Sequence, residues 1–487
     1  MLKSSTSSAA VNTASVRRRG AARAAGHSVF VVIPALLMAW VLVFVWNYQR
    51  QAVDFRLQFL PAGLAVLHGA SPYGAINTPI HPATAFPYPA ATGLLFALFA
   101  MIPSAASGTL YVALCIAAPL AALRALDVRD VRLYGFVLVL DPVFVGWQTA
   151  NLTLPLVLGV ALIWRYRDRP ALAGALTAVL VSLKPFLWPL ALWLIATRRD
   201  RAVLVALAAG VVINLIAWAI VGFDQVRALV RVTVAVTNTF HRWGYSTVAI
   251  AMHLGASRAV ATGLAALAAA GLAAACIVAG RRGRDRLALL VACDLVLAAS
   301  PIVWSHYFAL MIVPLAILSP RLSAAWVLQL AFWCCPVTEA ATWQCLVALL
   351  VTVATSWLLV RKDDSKARSV TPAASPREKD DEHQKDPKDK PPRVVEADEV
   401  VASAGFGPEL IPAPAKLVGR FELVFAVRAD GMMLLDQARV ATARTLRRRK
   451  ATGVLVGNRD LVSRPRLGRT AVSWGVRHWT PRRCDPE

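Results

Sequence analysis

Three polar side chains at breaks between long apolar blocks are of types that can do chemistry. Asp54 lies about eight residues past the first block, and a carboxylate at a membrane surface is a candidate general base because its surroundings tune its pKa. Lys184 precedes Pro185 in a hairpin of apolar stretches that contains no acid, and an ammonium there could hold a phosphate as a point charge. His306 could donate a hydrogen bond to the same phosphate.

Each of these residues also has a purely structural explanation. Asp54 could pair with Arg56 or be a solvated acid, Lys184 could extend along its apolar stem to the outer interface, and His306 could be an interfacial histidine among aromatic neighbours. These alternatives remain open at the level of sequence.

Other polar residues are weaker candidates. Gln148 and Asn151 suit a turn or a helix contact, and Arg242 lies in a loop where it either binds phosphate or is solvated. Asp141 and Asp294 lie within apolar stretches, and the sequence identifies a partner for neither.

Composition indicates that membrane spans position these residues. Of 487 residues 57% are apolar and 16% are charged, against about 45–50% and about 25% in soluble domains. Runs of about 18 or more apolar residues are typical of membrane helices. This excludes a soluble enzyme, a secreted disulfide scaffold, a mainly disordered protein and an outer-membrane barrel. The seven cysteines form no C-x-x-C pair, so we expect no metal site, and we expect no cofactor.

Arginine clusters between the blocks predict the topology, because basic loops stay cytoplasmic. The chain has a net charge of +24, and most of its basic residues lie in these clusters or after residue 360. This distribution indicates that they determine membrane topology and do not form a nucleic-acid-binding surface. An even number of membrane crossings must separate successive clusters. The chain between residue 47 and Arg124 starts outside and ends in the cytoplasm, so it must cross an odd number of times. We therefore expect 107–125 to cross and 90–103 to form a half-inserted helix on the outer face. The prediction is an all-α polytopic protein with about twelve spans, at residues 28–46, 107–125, 133–146, 149–164, 171–183, 186–197, 202–222, 259–280, 286–300, 304–319, 322–338 and 341–360.

The two ends of the chain are expected to be cytoplasmic. Residues 1–27 carry four arginines and precede an uncleaved signal anchor. Residues 361–487 form a charged tail whose first part, 361–400, has too few large apolar residues to fold, so we predict a largely disordered segment. Residues 28–360 are the predicted membrane domain.

An acid and five motifs, in order, resemble glycosyltransferase family 87. Its first outer loop has an acid, a G-x-x-P-Y turn and an F-x-Y-P-P motif, which here read Asp54, Gly69-Ala70-Ser71-Pro72-Tyr73 and Phe86-Pro87-Tyr88-Pro89-Ala90. Its G-Q-x-N turn resembles Gly146-Trp147-Gln148-Thr149-Ala150-Asn151, with one extra residue on each side of the glutamine. Its K-P turn resembles Lys184-Pro185, and its S-P-x-x-W-x-H-Y motif resembles residues 300–307.

The resemblance implies a GT-C fold over about residues 28–360. It further implies transfer of one sugar, mannose or arabinose, from a polyprenyl-phosphate donor to a lipid or glycan acceptor on the extracytoplasmic face. Asp54 would be the catalytic base, and Lys184, His306 and Arg242 would bind the donor phosphate. The motif residues with expected substrate contacts are Tyr88, Gln148, Asn151, Trp304 and Tyr307.

We therefore expect a multi-pass transferase of a bacterial inner membrane, with no nucleic-acid partner. The alternative is a lipid or polyprenyl-phosphate flippase or a secondary transporter. Transporters usually have interrupted helices at corresponding positions in two repeated halves, and this sequence shows no such repeat. In favour of a transporter, Asp141 and Asp294 are ionisable residues that could line a pathway through the inner half of the bundle. A membrane scaffold whose basic tail is the functional part is a third possibility.

Overall fold

The computed structural model describes residue 26 and residues 28–40, 51–74, 79–335 and 340–370. Within these residues every regular element is helical and no strand occurs, so the predicted all-α class is confirmed there. Residues 371–487, and with them most of the predicted tail, lie outside the described residues.

The α-helices of the described residues are numbered in chain order: α1 (Ile33–Trp40), α2 (Leu60–Leu67), α3 (Ala90–Ala100), α4 (Ser104–Ala125), α5 (Arg132–Leu138), α6 (Asp141–Gln148), α7 (Thr153–Arg165), α8 (Pro170–Leu183), α9 (Pro189–Ala196), α10 (Asp200–Val221), α11 (Gln225–Phe240), α12 (Thr247–His253), α13 (Arg258–Arg281), α14 (Asp285–Ala299), α15 (Ile312–Leu318), α16 (Ala324–Val327) and α17 (Thr342–Val370). Turns of π-helix at Ser28–Val32 and Phe55–Phe59 lead into α1 and α2. Segments of 3₁₀-helix lie at Pro185–Leu187, Ser305–Met311 and Leu328–Cys334.

Four of the described helices are long and apolar enough to cross a membrane: Ser104–Ala125, Asp200–Val221, Arg258–Arg281 and Thr342–Ser365. Each has 22 or 24 residues, which at about 1.5 Å per residue exceeds the ~30 Å hydrocarbon core. They coincide with predicted spans, so the chain is a membrane protein. The total of twelve spans stays a prediction.

Two predicted breaks in the apolar stretches are present. α8 ends at Leu183, Lys184 has extended backbone, and helical structure resumes at Pro185. Likewise α14 ends at Ala299 and Ser300 is extended before Pro301. Both breaks have the same cause, since proline lacks an amide proton and disfavours helical backbone in the residue before it.

The predicted hairpin of 133–146 and 149–164 is wrong in detail. α5 ends at Leu138, and a new helix, α6, begins at Asp141 with Pro142 in its first turn, where proline is tolerated. The turn expected at residues 146–148 lies later, at 149–152, because α6 continues through Gln148.

The last helix also extends beyond its predicted end. α17 continues to Val370, so the disorder predicted from residue 361 is wrong for residues 361–370. Arg284 pairs with Asp363 at 3.5 Å and with Asp364, and Lys362 donates to Ser319 Oγ at 2.7 Å. These contacts fix the added turns against the rest of the bundle.

Helix α2 packs closely on α3. A Cβ on Gly63 of α2 would lie 2.3 Å from the Phe96 carbonyl oxygen, so only glycine allows this approach. Phe59 stacks on Phe96 with ring centroids 4.3 Å apart. α3 has 11 residues, about 16 Å at ~1.5 Å per residue, which is too short to cross the hydrocarbon core.

We predict that α3 does not cross the membrane and that the start of α4 faces outward. Ala105 and Ala106 are exposed there, whereas Ser107 is buried. Single cysteines at 105 and 106, in a background without the exposed Cys334, should react with an impermeant thiol reagent applied outside. The control is a cysteine at Arg282, which should react only after permeabilisation. The reverse pattern would contradict the proposed topology.

Candidate active site

The segment that carries Asp54 is tied to the turn between α6 and α7 by its backbone. The Ala52 amide donates to the Gln148 carbonyl at 2.8 Å, and the Asp54 amide donates to the Thr149 carbonyl at 3.0 Å. Ala52 and Ala150 have left-handed φ values of 52° and 53°. This costs an alanine about 1–2 kcal/mol, and such strained residues cluster at functional sites. Two residues predicted to be functional, Asp54 and Asn151, are thereby brought together.

Asn151 holds the Asp54 carboxylate directly. Its Nδ2 donates to Asp54 Oδ2 at 2.5 Å. Its Oδ1 accepts from the Thr153 amide at 2.9 Å and from Thr153 Oγ1 at 2.7 Å. Because a backbone amide can only donate, it determines which end of the Asn151 side chain is the acceptor, and the NH₂ group must face Asp54.

Lys184 completes this network from the break after α8. Its Nζ donates to Thr153 Oγ1 at 3.0 Å and lies 3.5 Å from Asn151 Oδ1. The side chain is 4% exposed, so it points into the protein and does not extend to the outer interface. The Asp54 carboxylate, from a distant segment, contributes the opposing charge that the hairpin itself lacks.

Aromatic rings surround the ammonium. Lys184 Nζ lies 4.1 Å from the ring centroid of Tyr307, 4.8 Å from that of Phe186 and 5.8 Å from that of Tyr88. Cations are attracted to aromatic faces within about 6 Å. Tyr88 also interacts with the Asn151 side chain. The predicted substrate-contact residues Tyr88, Asn151 and Tyr307 are therefore all at this site.

His306 lies beside Tyr307, with ring centroids 4.9 Å apart, and is 3% exposed. Neither of its ring nitrogens has a hydrogen-bond partner among the described residues. Trp304, from the same motif, is half-buried and packs edge-on against Phe240 of α11 at 5.7 Å. The motif therefore directs its histidine and its tryptophan to different neighbours.

Two predicted site residues do not join the cluster through their side chains. Gln148 contributes its backbone carbonyl, and the described contacts include no hydrogen bond of its side chain. Arg242 is exposed after α11, and its carbonyl accepts from His253 Nε2 at 3.1 Å.

Sequence reasoning missed three residues of the site. Thr153 follows Asn151 by two positions, a spacing typical of an asparagine that accepts the amide two residues on, and this signal could have identified it. Tyr111 and Cys115 lie on α4, and both interact electrostatically with Asp54. They belong to a uniformly apolar helix, which gives no signal of function.

The environment of Asp54 suits a general base. Burial raises the pKa of the Asp54 carboxyl, while the hydrogen bond from Asn151 and the positive charge of Lys184 act to lower it. A carboxylate with a raised pKa is a stronger base than one in water.

The fold and the site define an all-helical membrane protein with a buried cluster of carboxylate, amide and ammonium groups. The model of glycosyltransferase family 87 matches residues 86–301, and this match supports membership of that family. Together with the four long apolar helices, the match points to a membrane glycosyltransferase. The matched residues include Asn151 and Lys184, whereas Asp54 and His306 lie outside the match. No curated protein and no solved structure matches the chain.

Proposed function

We propose that the protein transfers one sugar, mannose or arabinose, from a polyprenyl-phosphate donor to a lipid or glycan acceptor. The observation that supports this most strongly is the shared amide of Asn151, which binds the Asp54 carboxylate and lies beside the Lys184 ammonium. Asn151 thus holds a carboxylate, which can act as a base, close to an ammonium cation. This arrangement suits a reaction in which a hydroxyl loses a proton while a phosphate gains negative charge.

The proposed step is a direct displacement. The acceptor oxygen forms a bond to the anomeric carbon, and the bond from that carbon to the phosphate oxygen breaks. The hydroxyl proton goes to Asp54, and the electron pair of the broken bond stays on the polyprenyl phosphate. Attack opposite the leaving group inverts the anomeric configuration.

Lys184 and His306 are the proposed ligands of the leaving phosphate. Both are buried, and fixed donors in a water-poor site stabilise developing charge more than they would in water. The faces of Tyr88 and Tyr307 beside Lys184 offer surfaces for a sugar ring. Arg242, Gln148 and Trp304 remain weaker candidates for the phosphate and the substrate.

The ends of two helices support an extracytoplasmic site. α7 begins at Thr153 in the site and ends at Arg165, while α8 begins after Arg169 and ends at Lys184. The site and the arginine clusters thus lie at opposite ends of both helices. Because arginine clusters stay cytoplasmic, we propose a GT-C fold in a bacterial inner membrane, with twelve spans, cytoplasmic termini and the site outside. Residues 361–487 would form the cytoplasmic tail.

Sealed membrane vesicles distinguish this function from the flippase or transporter alternative. A labelled polyprenyl-phosphate sugar is added with its headgroup on the extracytoplasmic side, and the lipid and glycan products are separated. We expect label to move to an acceptor and free polyprenyl phosphate to accumulate. Movement of intact donor across the bilayer, without free polyprenyl phosphate, would instead identify a transporter.

A further inference from the structure

A second group of buried polar side chains adjoins the proposed phosphate site. Asp141, the first residue of α6, is 5% exposed, and Ser305, which begins the 3₁₀ segment, is fully buried. Ser305 is close enough to Asp141 for their side chains to interact. His306 follows Ser305 and lies within the electrostatic reach of Lys184. The group is thus continuous with the Lys184 side of the site.

These side chains have hydrogen-bonding capacity that the described residues do not fill. Asp141 Oδ2 and both ring nitrogens of His306 are buried without a hydrogen-bond partner there, and Ser305 Oγ has none besides its approach to the Asp141 carboxyl. Buried polar atoms in folded proteins are nearly always paired, because each unpaired one costs about 1–3 kcal/mol. Three such atoms on Asp141 and His306, with the Ser305 hydroxyl beside them, indicate that a polar group binds here.

Another acid within the helices shows the contrasting case. Asp294 of α14 accepts hydrogen bonds from Ser356 Oγ at 3.1 Å and 2.9 Å to its two oxygens. Its carboxyl is satisfied within the protein and needs no ligand. Asp141 therefore differs from Asp294 in lacking an internal partner for one of its oxygens.

The donor and acceptor pattern selects the ligand chemistry. A carboxylate only accepts, a serine hydroxyl donates and accepts, and a neutral imidazole has one nitrogen of each kind. A phosphate would be repelled by Asp141 in its ionised form, whereas a hydroxyl can pair with either form of the carboxyl. Neighbouring sugar hydroxyls, which both donate and accept, match the pattern without adding charge.

We propose that Asp141 and Ser305, with His306 at their border with the phosphate site, form a subsite that binds the hydroxyls of a substrate sugar. This deepens the proposed function, on which it rests. The sugar is that of the donor or that of the acceptor, and the experiment below separates the two.

Binding measurements test the subsite without requiring turnover. Thermal unfolding of the purified protein is followed with polyprenyl-phosphate sugar, with bare polyprenyl phosphate and with an alkyl glycoside as acceptor mimic, each at several concentrations. Wild type should bind the sugar-bearing donor, or the glycoside, about tenfold to a hundredfold more tightly than Asp141→Asn or Ser305→Ala. Affinity for bare polyprenyl phosphate should not change.

Deoxy-sugar ligands make the test specific. A ligand that lacks the hydroxyl bound by Asp141 should lose affinity for wild type but not for Asp141→Asn. The matched control, Asp294→Asn, should keep the wild-type preference for sugar-bearing ligands. Unchanged sugar affinity in both Asp141→Asn and Ser305→Ala would overturn the subsite even if transfer proceeds. A different result would refute the proposed reaction and not the subsite: sugar binding depends on Asp141, but the protein never releases polyprenyl phosphate.

Discussion

Replacement of Asp54 by asparagine is expected to lower kcat by about 10²–10⁴, the usual contribution of a general base. Asparagine preserves the shape and can still accept from Asn151 Nδ2, so the fold and the donor affinity should be retained. Transfer rates and donor binding of Asp54→Asn would be compared with those of Asp294→Asn, in which another carboxyl within the helices is removed. If Asp54→Asn keeps more than about a tenth of wild-type turnover, a barrier change under ~1.4 kcal/mol, Asp54 is not the base.

The pH dependence provides an independent readout of the same residue. Only the ionised carboxylate can accept the proton, so kcat/KM should fall as the pH decreases through the pKa of Asp54. Because burial raises that pKa above its usual value of 3.8, the acidic limb should lie at higher pH than for a solvated aspartate. This limb should be absent from the residual activity of Asp54→Asn.

Replacement of Lys184 by methionine is expected to weaken donor binding roughly thirtyfold or more. Loss of one partner of a buried charged contact costs about 2–5 kcal/mol, and each ~1.4 kcal/mol is a factor of ten. Methionine retains the apolar stem that packs between Phe186 and Tyr307 but has no ammonium. The measurement is the affinity for polyprenyl-phosphate sugar and for bare polyprenyl phosphate.

Two further variants separate charge from structure in this prediction. Lys184→Arg keeps a cation and should retain much of the affinity. Thr153→Val removes the hydroxyl to which Lys184 donates but leaves the ammonium in place, so its effect should be smaller than that of Lys184→Met. Donor binding by Lys184→Met as tight as that of wild type would move the phosphate site to His306 or Arg242.

The sequence was informative wherever one local rule decides the structure. Proline at 185 and at 301 predicted the breaks in the helices, and the high apolar content predicted the all-helical class. The breaks also led to Lys184 and His306, because polar residues at such breaks need partners. Local rules thus predicted the fold class and most of the cluster.

Tertiary contacts decided the remainder. The Asp54–Asn151 bond joins segments far apart in sequence, and no local pattern indicates that distance. α17 continues beyond residue 360 because Arg284 lies opposite its acidic residues, which composition alone does not show. Asp141 had no partner by sequence, and only the packing of α6 placed it beside Ser305.

The proposed reaction is tested most directly by the fate of the bond between sugar and phosphate. Purified protein in lipid vesicles is supplied with polyprenyl-phosphate sugar and acceptor, and both free polyprenyl phosphate and the anomeric configuration of the product are measured. We expect equal amounts of polyprenyl phosphate released and sugar transferred, with inverted configuration and no transfer from a nucleotide sugar. Transfer from a nucleotide sugar alone, or a product that retains the donor's configuration, would contradict the proposed function and the direct role of Asp54.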